Sequence, residues 1–262
     1  MTIGIIGTGH LAESIVYGLQ RQGNIERIVL SPRNAYRAAA LAEYYPDIVQ
    51  VASSNQAVLD ATDTVLLTIR PQVAESVLSG LRFRPDHVVI SMMALLPLTK
   101  VIQWVLPAAS VVRAATLPYV AKTSGPILLY PGQQQAILLF EQLGALEVTA
   151  DESALDTLWA LTAMMAPYFA SIDTMATWAR QQGIASDQAG RFISGMLTAL
   201  GALCDDYPDG DFTQLVADCQ TSGGINEQAL QQLSRTGYCK ALEQALDSVK
   251  QRMSENAAPV SS

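Results

Sequence analysis

Two hydrophobic rhythms alternate along the first half of the chain. Short, nearly continuous apolar runs rich in β-branched residues occupy 3–7, 27–30, 64–68, 87–91 and 110–114. Between them, 12–21, 35–44, 55–61, 73–81 and 98–106 carry apolar side chains three and four apart, the spacing that gives a helix one buried face. A further apolar run at 126–130, a helical stretch at 133–143 closed by Gly144, and a short segment at 146–149 complete this half. Strands without polar alternation are covered on both faces, and strands that alternate with helices are joined by crossovers. The pattern therefore predicts an α/β domain built on a mostly parallel sheet.

Beyond about residue 150 the strand rhythm is gone. Asp151-Glu152-Ser153 places acidic groups where a helix N-terminus favours them. Phe192, Met196, Leu197, Leu200 and Leu203 fall on one helical stripe within 188–203, and Leu230, Leu233, Leu242, Ala245, Leu246 and Val249 on another within 227–253. The expected organisation is an α/β domain at 1–150, an all-helical domain at 151–255 and a flexible tail at 256–262. So apolar a helical domain has more surface to cover than one copy can bury, and pairing into a homodimer through its helices is expected.

Composition narrows the classes. Half of the 262 residues are hydrophobic and 15% are charged, which is too apolar for a disordered chain. No segment reaches the roughly 18 uninterrupted apolar residues of a membrane span; the best, 88–98, reads as a buried strand entering a turn. Residues 1–7 show neither the basic flank nor the cleavage site of a secretory leader, so a cytoplasmic protein is expected. A net charge of −8 with scattered cations disfavours a nucleic-acid partner. Cys204, Cys219 and Cys239 have no paired spacing, and His10 and His87 stand apart, so neither a disulfide framework nor a metal site is expected.

The sharpest local signal is Gly7-Thr8-Gly9-His10-Leu11-Ala12, a G-x-G-x-x-A turn between the first strand and the first helix. The first glycine permits the tight turn, the second lets the backbone approach a pyrophosphate, and the small third residue lets helix and strand pack closely. The helix N-terminus offers N–H groups to the phosphates. This marks the first domain as a Rossmann domain that binds a dinucleotide. The second strand ends in Leu30-Ser31-Pro32-Arg33-Asn34 with no acidic residue, and Arg37 follows one turn later. A carboxylate there would bind ribose hydroxyls, whereas a hydroxyl and a guanidinium suit a 2′-phosphate, so NADPH is expected rather than NADH.

The order of these motifs resembles the pyrroline-5-carboxylate reductase family across nearly the whole chain. The opening turn is similar to the family's G-x-G-N-M-A with His10 in place of Asn, and Ser31-Pro32-Arg33 resembles its S-x-R turn. Thr68-Ile69-Arg70-Pro71-Gln72 resembles A-V-K-P-Q, and Ser91-Met92-Met93-Ala94 resembles S-x-x-A-G with Leu95 where the family has Gly. Arg113 and Gly125 frame a segment like R-x-M-P-N-T-P-x-x-x-x-x-G, Met165-Ala166-Pro167-Tyr168 resembles G-P-A-Y, and Thr221-Ser222-Gly223-Gly224-Ile225-Asn226 falls where the family has S-P-G-G-T-T.

The resemblance implies hydride transfer from NADPH to the carbon of a C=N bond, as in reduction of 1-pyrroline-5-carboxylate to L-proline or of a related cyclic imine. It implies a cofactor set of Gly7, Gly9, His10, Leu11, Ala12, Ser31, Arg33, Thr68, Ile69, Arg70, Pro71, Met93 and Ala94. It implies a substrate loop at Thr221, Ser222, Gly223 and Gly224, whose amides hold a substrate carboxylate, with Asn226 at the position of the Thr that meets the ring nitrogen. Asn226 is thus the catalytic candidate. The M-P-N-T-P stretch reads Ala115-Thr116-Leu117-Pro118-Tyr119, so Leu117 replaces its Asn, and Thr116 and Tyr119 are the polar side chains left near the substrate. Two alternatives stay open. One is an NADP-dependent hydroxyacid-type dehydrogenase, for which Lys240 is the one lysine well inside a helix but lacks the usual nearby Asn. The other is an NADP-binding regulatory protein that has lost turnover.

Overall fold

Strand residues of period two send neighbours to opposite faces, and here each face finds its own core. Ile3 and Ile5, Ile28 and Leu30, and Leu66 belong to one buried cluster; Ile6, Val29, Val65 and Leu67 belong to another. A central sheet sandwiched between two helical layers follows from that alternation. The computed structural model of the protein describes residues 1–118, 120, 125–207 and 209–257. They divide into two compact units, the first comprising Met1–Ala160 and the residues from Lys250 on, the second Leu161–Val249.

In the first unit the elements run β1 (Thr2–Ile6), α1 (His10–Gln22), β2 (Arg27–Leu30), α2 (Ala35–Tyr44), β3 (Val49–Val51), α3 (Asn55–Ala61), β4 (Thr64–Leu67) and α4 (Pro71–Leu78). They continue with β5 (Val88–Ser91), α5 (Leu98–Trp104), β6 (Ser110–Thr116), β7 (Pro126–Tyr130), α6 (Gln134–Phe140), β8 (Ala145–Val148) and α7 (Glu152–Ala160). The eight strands lie in the order β3-β2-β1-β4-β5-β6-β7-β8. All neighbours are parallel except β6 and β7. Strand order reverses between β1 and β4, the place where open parallel sheets leave a crevice at the carboxyl ends of the strands. His87, one of the two histidines, is fully buried, with Nδ1 accepting the Arg84 amide at 3.0 Å and Nε2 3.1 Å from the Leu59 carbonyl. It is a satisfied core residue.

Helix α7 belongs with the sheet. Arg113 on β6 is 4% exposed and pairs through Nη1 with Glu152 and through Nη2 with Asp156, both at 2.8 Å. Glu152 and Asp156 are one helical turn apart, so one face of α7 closes on one guanidinium. The compact unit thereby extends to Ala160, ten residues past the boundary at 150 that the change of rhythm predicts.

The second unit is helical: α8 (Met165–Gln181), α9 (Ser186–Leu203), α10 (Phe212–Asp218), α11 (Ile225–Arg235) and the start of α12 (Tyr238–Ala257). The continuous helix expected over 227–253 is two helices, because Gly237 adopts φ +80° and ends α11 in a left-handed turn. Helix α12 runs through Ala257, past the expected tail boundary at 256; residues 258–262 lie outside the described residues. The unit has almost no core of its own. Among its described apolar side chains only Ala189 and Ile193 are buried, whereas Phe192 is 73% and Trp178 63% exposed, with Phe169, Leu200 and Val216 also open. Among the described residues no helix is long and apolar enough to cross a membrane, and no group of His, Cys, Asp or Glu could hold a metal.

Candidate cofactor and active site

The turn after β1 is assembled from three strand ends. Gly7 sits at φ +107°, and a Cβ there would come within 2.8 Å of the Ile69 amide nitrogen and the Thr68 carbonyl carbon, so only glycine fits. Its N–H donates to the Ser31 hydroxyl at 2.9 Å, and the Thr68 hydroxyl donates to its carbonyl. Thr8 adds a bond from its hydroxyl to the Ser31 carbonyl at 2.9 Å. Ser31 is fully buried, so its side chain shapes the turn from beneath. Ile69 is buried against Gly7, while Arg70 is exposed at the start of α4, where Pro71 takes the first helical position.

Above the turn the situation is reversed. Gly9 caps α1 with no side-chain hydrogen bond, and a Cβ on it would meet nothing within 4 Å. Open space thus lies over Gly9 at the start of a 13-residue helix, where the helix carries its partial positive charge. That is the cradle a pyrophosphate requires, and the residues fit a dinucleotide.

Two arginines near the end of β2 have different occupations. Arg37 forms an ion pair with Glu13, and its other nitrogen lies 2.7 Å from His10 Nε2. Arginine has only donors, so the imidazole nitrogen accepts. Arg33 is exposed and, among the described residues, makes no ion pair or side-chain hydrogen bond. Asn34 is the N-cap of α2 and accepts from the Arg37 amide at 3.3 Å, which leaves Arg33 as the uncommitted cation next to the turn.

A cavity of about 180 Å³ opens at the carboxyl ends of β5 and β6. Leu11 from the first turn of α1, Met92, Met93 and Ala94 after β5, Arg113 and Thr116 on β6, and Trp159 on α7 line it. Met93, Ala94 and Thr116 thus line one cavity together with Leu11, which follows the glycine turn. The Thr116 hydroxyl donates to the Pro126 carbonyl at 3.2 Å. Tyr119 lies outside the described residues. Leu95, next to Ala94, holds φ +66°, a left-handed conformation in which a β-carbon is crowded. The sequence did not single out Trp159 or the Arg113–Glu152–Asp156 triad as site residues; the one available signal was two acids four apart at the start of α7.

The loop Thr221–Asn226 belongs to the second unit and closes on itself. Gly223 adopts φ +74°, and the Gly224 amide donates to the Thr221 carbonyl at 2.7 Å. The Gly223 amide donates to Glu227 Oε2 at 2.7 Å, and the Asn226 side-chain amide donates to the Cys219 carbonyl at 2.9 Å. Ser222 is exposed.

Comparison with known proteins gives two family models. One, described as NADP oxidoreductase coenzyme F420-dependent, matches residues 2–95; the other, pyrroline-5-carboxylate reductase dimerisation, matches 152–256. The chain is 28% identical to pyrroline-5-carboxylate reductase of Pseudomonas aeruginosa, over 97% of this chain and 96% of that one. In fold it is similar to 1-pyrroline-5-carboxylate reductase from Streptococcus pyogenes, with TM-score 0.83, 24% identity, and coverage of 97% and 98%. It is similar to the same degree, at 14% identity and 98% coverage of each chain, to a pyrroline carboxylate reductase from Plasmodium falciparum with NADP bound.

Proposed function

The chain belongs to the pyrroline-5-carboxylate reductase family, and from that premise we propose that it reduces the C=N bond of a cyclic imine with NADPH. The observation that carries this reading is the position of Leu11, which stands in the first turn of α1 just after the open Gly9 and lines the cavity with Met93 and Trp159. NADPH, when bound, supplies a hydride for the imine carbon, and the nitrogen takes up one proton. Everything else falls to the protein. Gly7, Gly9, His10, Leu11 and Ala12 receive the pyrophosphate; Ser31 and Thr68 hold the turn in shape; Arg33 meets the 2′-phosphate. Ile69, Arg70 and Pro71 wall the crevice beside Gly7, and Met93 and Ala94 flank the nicotinamide. The apolar lining excludes water, so the cavity aligns two reacting carbons and need not supply a strong acid.

Substrate-side roles go to Thr116 in the first unit and to Thr221, Ser222, Gly223, Gly224 and Asn226 in the helical unit. The helical unit also pairs two copies as a homodimer, which the exposure of Phe192 and Trp178 supports. The first unit, which runs to Ala160 and not to 150, then carries the cofactor, and the helical unit carries pairing and substrate recognition. Three free, exposed cysteines support a cytoplasmic setting.

The test is NADPH consumption with 1-pyrroline-5-carboxylate, a panel of other cyclic imines and several 2-oxo acids. Turnover of at least one imine is expected. Turnover of oxo acids alone would sink the reading, and so would NADPH binding without turnover of any of them.

A further inference from the structure

The cavity of the first unit is bounded by walls of unequal stiffness. Ala94, Ala114 and Ala115 bring little more than backbone to it. Met92 and Met93 bring thioether chains, which turn about several single bonds and adapt to what lies beside them. Trp159, half-buried, is the one aromatic residue on the lining among the described residues. An indole is large and rigid, with only two side-chain torsions, so it does not yield as a methionine does.

The helix that carries the indole is fastened beside the cavity. Glu152, Asp156 and Trp159 follow one another at intervals of four and three residues on α7, which sets them on one face. The two carboxylates take the two ends of the Arg113 guanidinium at 2.8 Å, and Glu152 also accepts the Leu98 amide at 2.7 Å. These bonds pin α7 to β6 and to the start of α5, and Trp159 follows less than one turn after the last of them. The cavity itself is small. Its volume of about 180 Å³ lies below the roughly 300–1,000 Å³ of ordinary small-molecule sites. A wall that cannot retreat from so small a space selects by size.

We infer that Trp159 sets substrate size in this chain: its indole admits a cyclic imine of one small ring and turns fused-ring imines away. The inference rests on the reading of this cavity as the place where an imine is reduced.

The experiment measures kcat/KM with NADPH and the full-length protein for two imines that both carry a carboxylate beside the nitrogen. They are 1-pyrroline-5-carboxylate and the fused-ring 3,4-dihydroisoquinoline-3-carboxylate. The wild type is expected to favour the single ring by about 100-fold or more, since one methylene too many in an apolar pocket already costs about 10- to 200-fold. Trp159→Ala should move that ratio toward the fused ring by about tenfold or more. Trp159→Phe, a milder change that keeps an aromatic ring in the fold, should move it the same way by a smaller factor. Both reactions use the same nucleotide. A contact with NADPH alone, or a general loosening of α7, would therefore lower both rates in proportion and leave the ratio in place. A ratio that neither variant moves would overturn the inference and leave imine reduction standing, and so would a wild type that prefers the fused ring. Failure to turn over any cyclic imine would overturn the functional reading itself, and this inference with it.

Discussion

The hydroxyl of Ser31, at the end of the second strand, accepts the amide hydrogen of Gly7, at the end of the first, at 2.9 Å. The bond joins two strand ends beneath the phosphate turn and leaves the hydroxyl facing the protein. Ser31→Ala would strand the Gly7 N–H, a loss of about 1–2 kcal/mol for a partly buried donor. The variant should melt at a lower temperature and bind NADPH and NADH more weakly in equal proportion. A loss confined to NADPH would instead put the hydroxyl on the 2′-phosphate.

Arg33 is uncommitted, whereas Arg37 is engaged by Glu13 and His10. Arg33→Ala should therefore raise the Kd for NADPH roughly 10- to 100-fold, the worth of hydrogen bonds to a charged group. NADH binding should hardly change. Titration calorimetry with both nucleotides checks it, and an equal loss for both would remove Arg33 from the phosphate site.

Leu95 occupies φ +66°. At an ordinary loop position alanine is the more stabilising small residue, because glycine loses more chain entropy on folding. Here the order should invert: Leu95→Gly should be more stable than Leu95→Ala by about 1 kcal/mol, since a β-carbon is crowded in the left-handed region. Paired denaturant titrations read the difference, and the ordinary order would show that the backbone at 95 is unstrained.

Phe192 and Trp178 expose most of their rings in the single chain. If two copies cover these faces, Phe192→Glu buries a charge at the contact and should halve the mass seen by light scattering at micromolar concentration. The first unit should still bind NADPH. An unchanged mass would place the contact elsewhere.

Much of the first unit was legible because its signals are local. Buried strands such as Thr64–Leu67 are apolar throughout, and the Gly7 turn is dictated by a backbone approach that only glycine permits. Strand Val49–Val51 escaped because it has three residues at the sheet edge, of which only Val49 is fully buried. The break at Gly237 was hidden because apolar spacing continues on both sides of it, whereas the left-handed backbone leaves no mark in hydrophobicity.

The site was less legible than the fold. Arg113 meets Glu152 across 39 residues, a pairing no spacing rule brings together. Glu227 is different, since an acid shortly after a glycine turn is a readable capping pattern. Resemblance casts the loop as a holder of anions, whereas in the structure the Gly223 amide donates to Glu227.

The two glycines of the phosphate turn fail in different ways. An alanine at Gly7 collides with the chain around Thr68 and Ile69, so its damage falls on folding. An alanine at Gly9 touches nothing the protein owns, so its damage falls on the guest alone. Position 9 is therefore a switch for emptiness: one methyl group there should yield a folded, assembled, nucleotide-free protein. That form separates whatever the scaffold does by its presence from what it does by turnover.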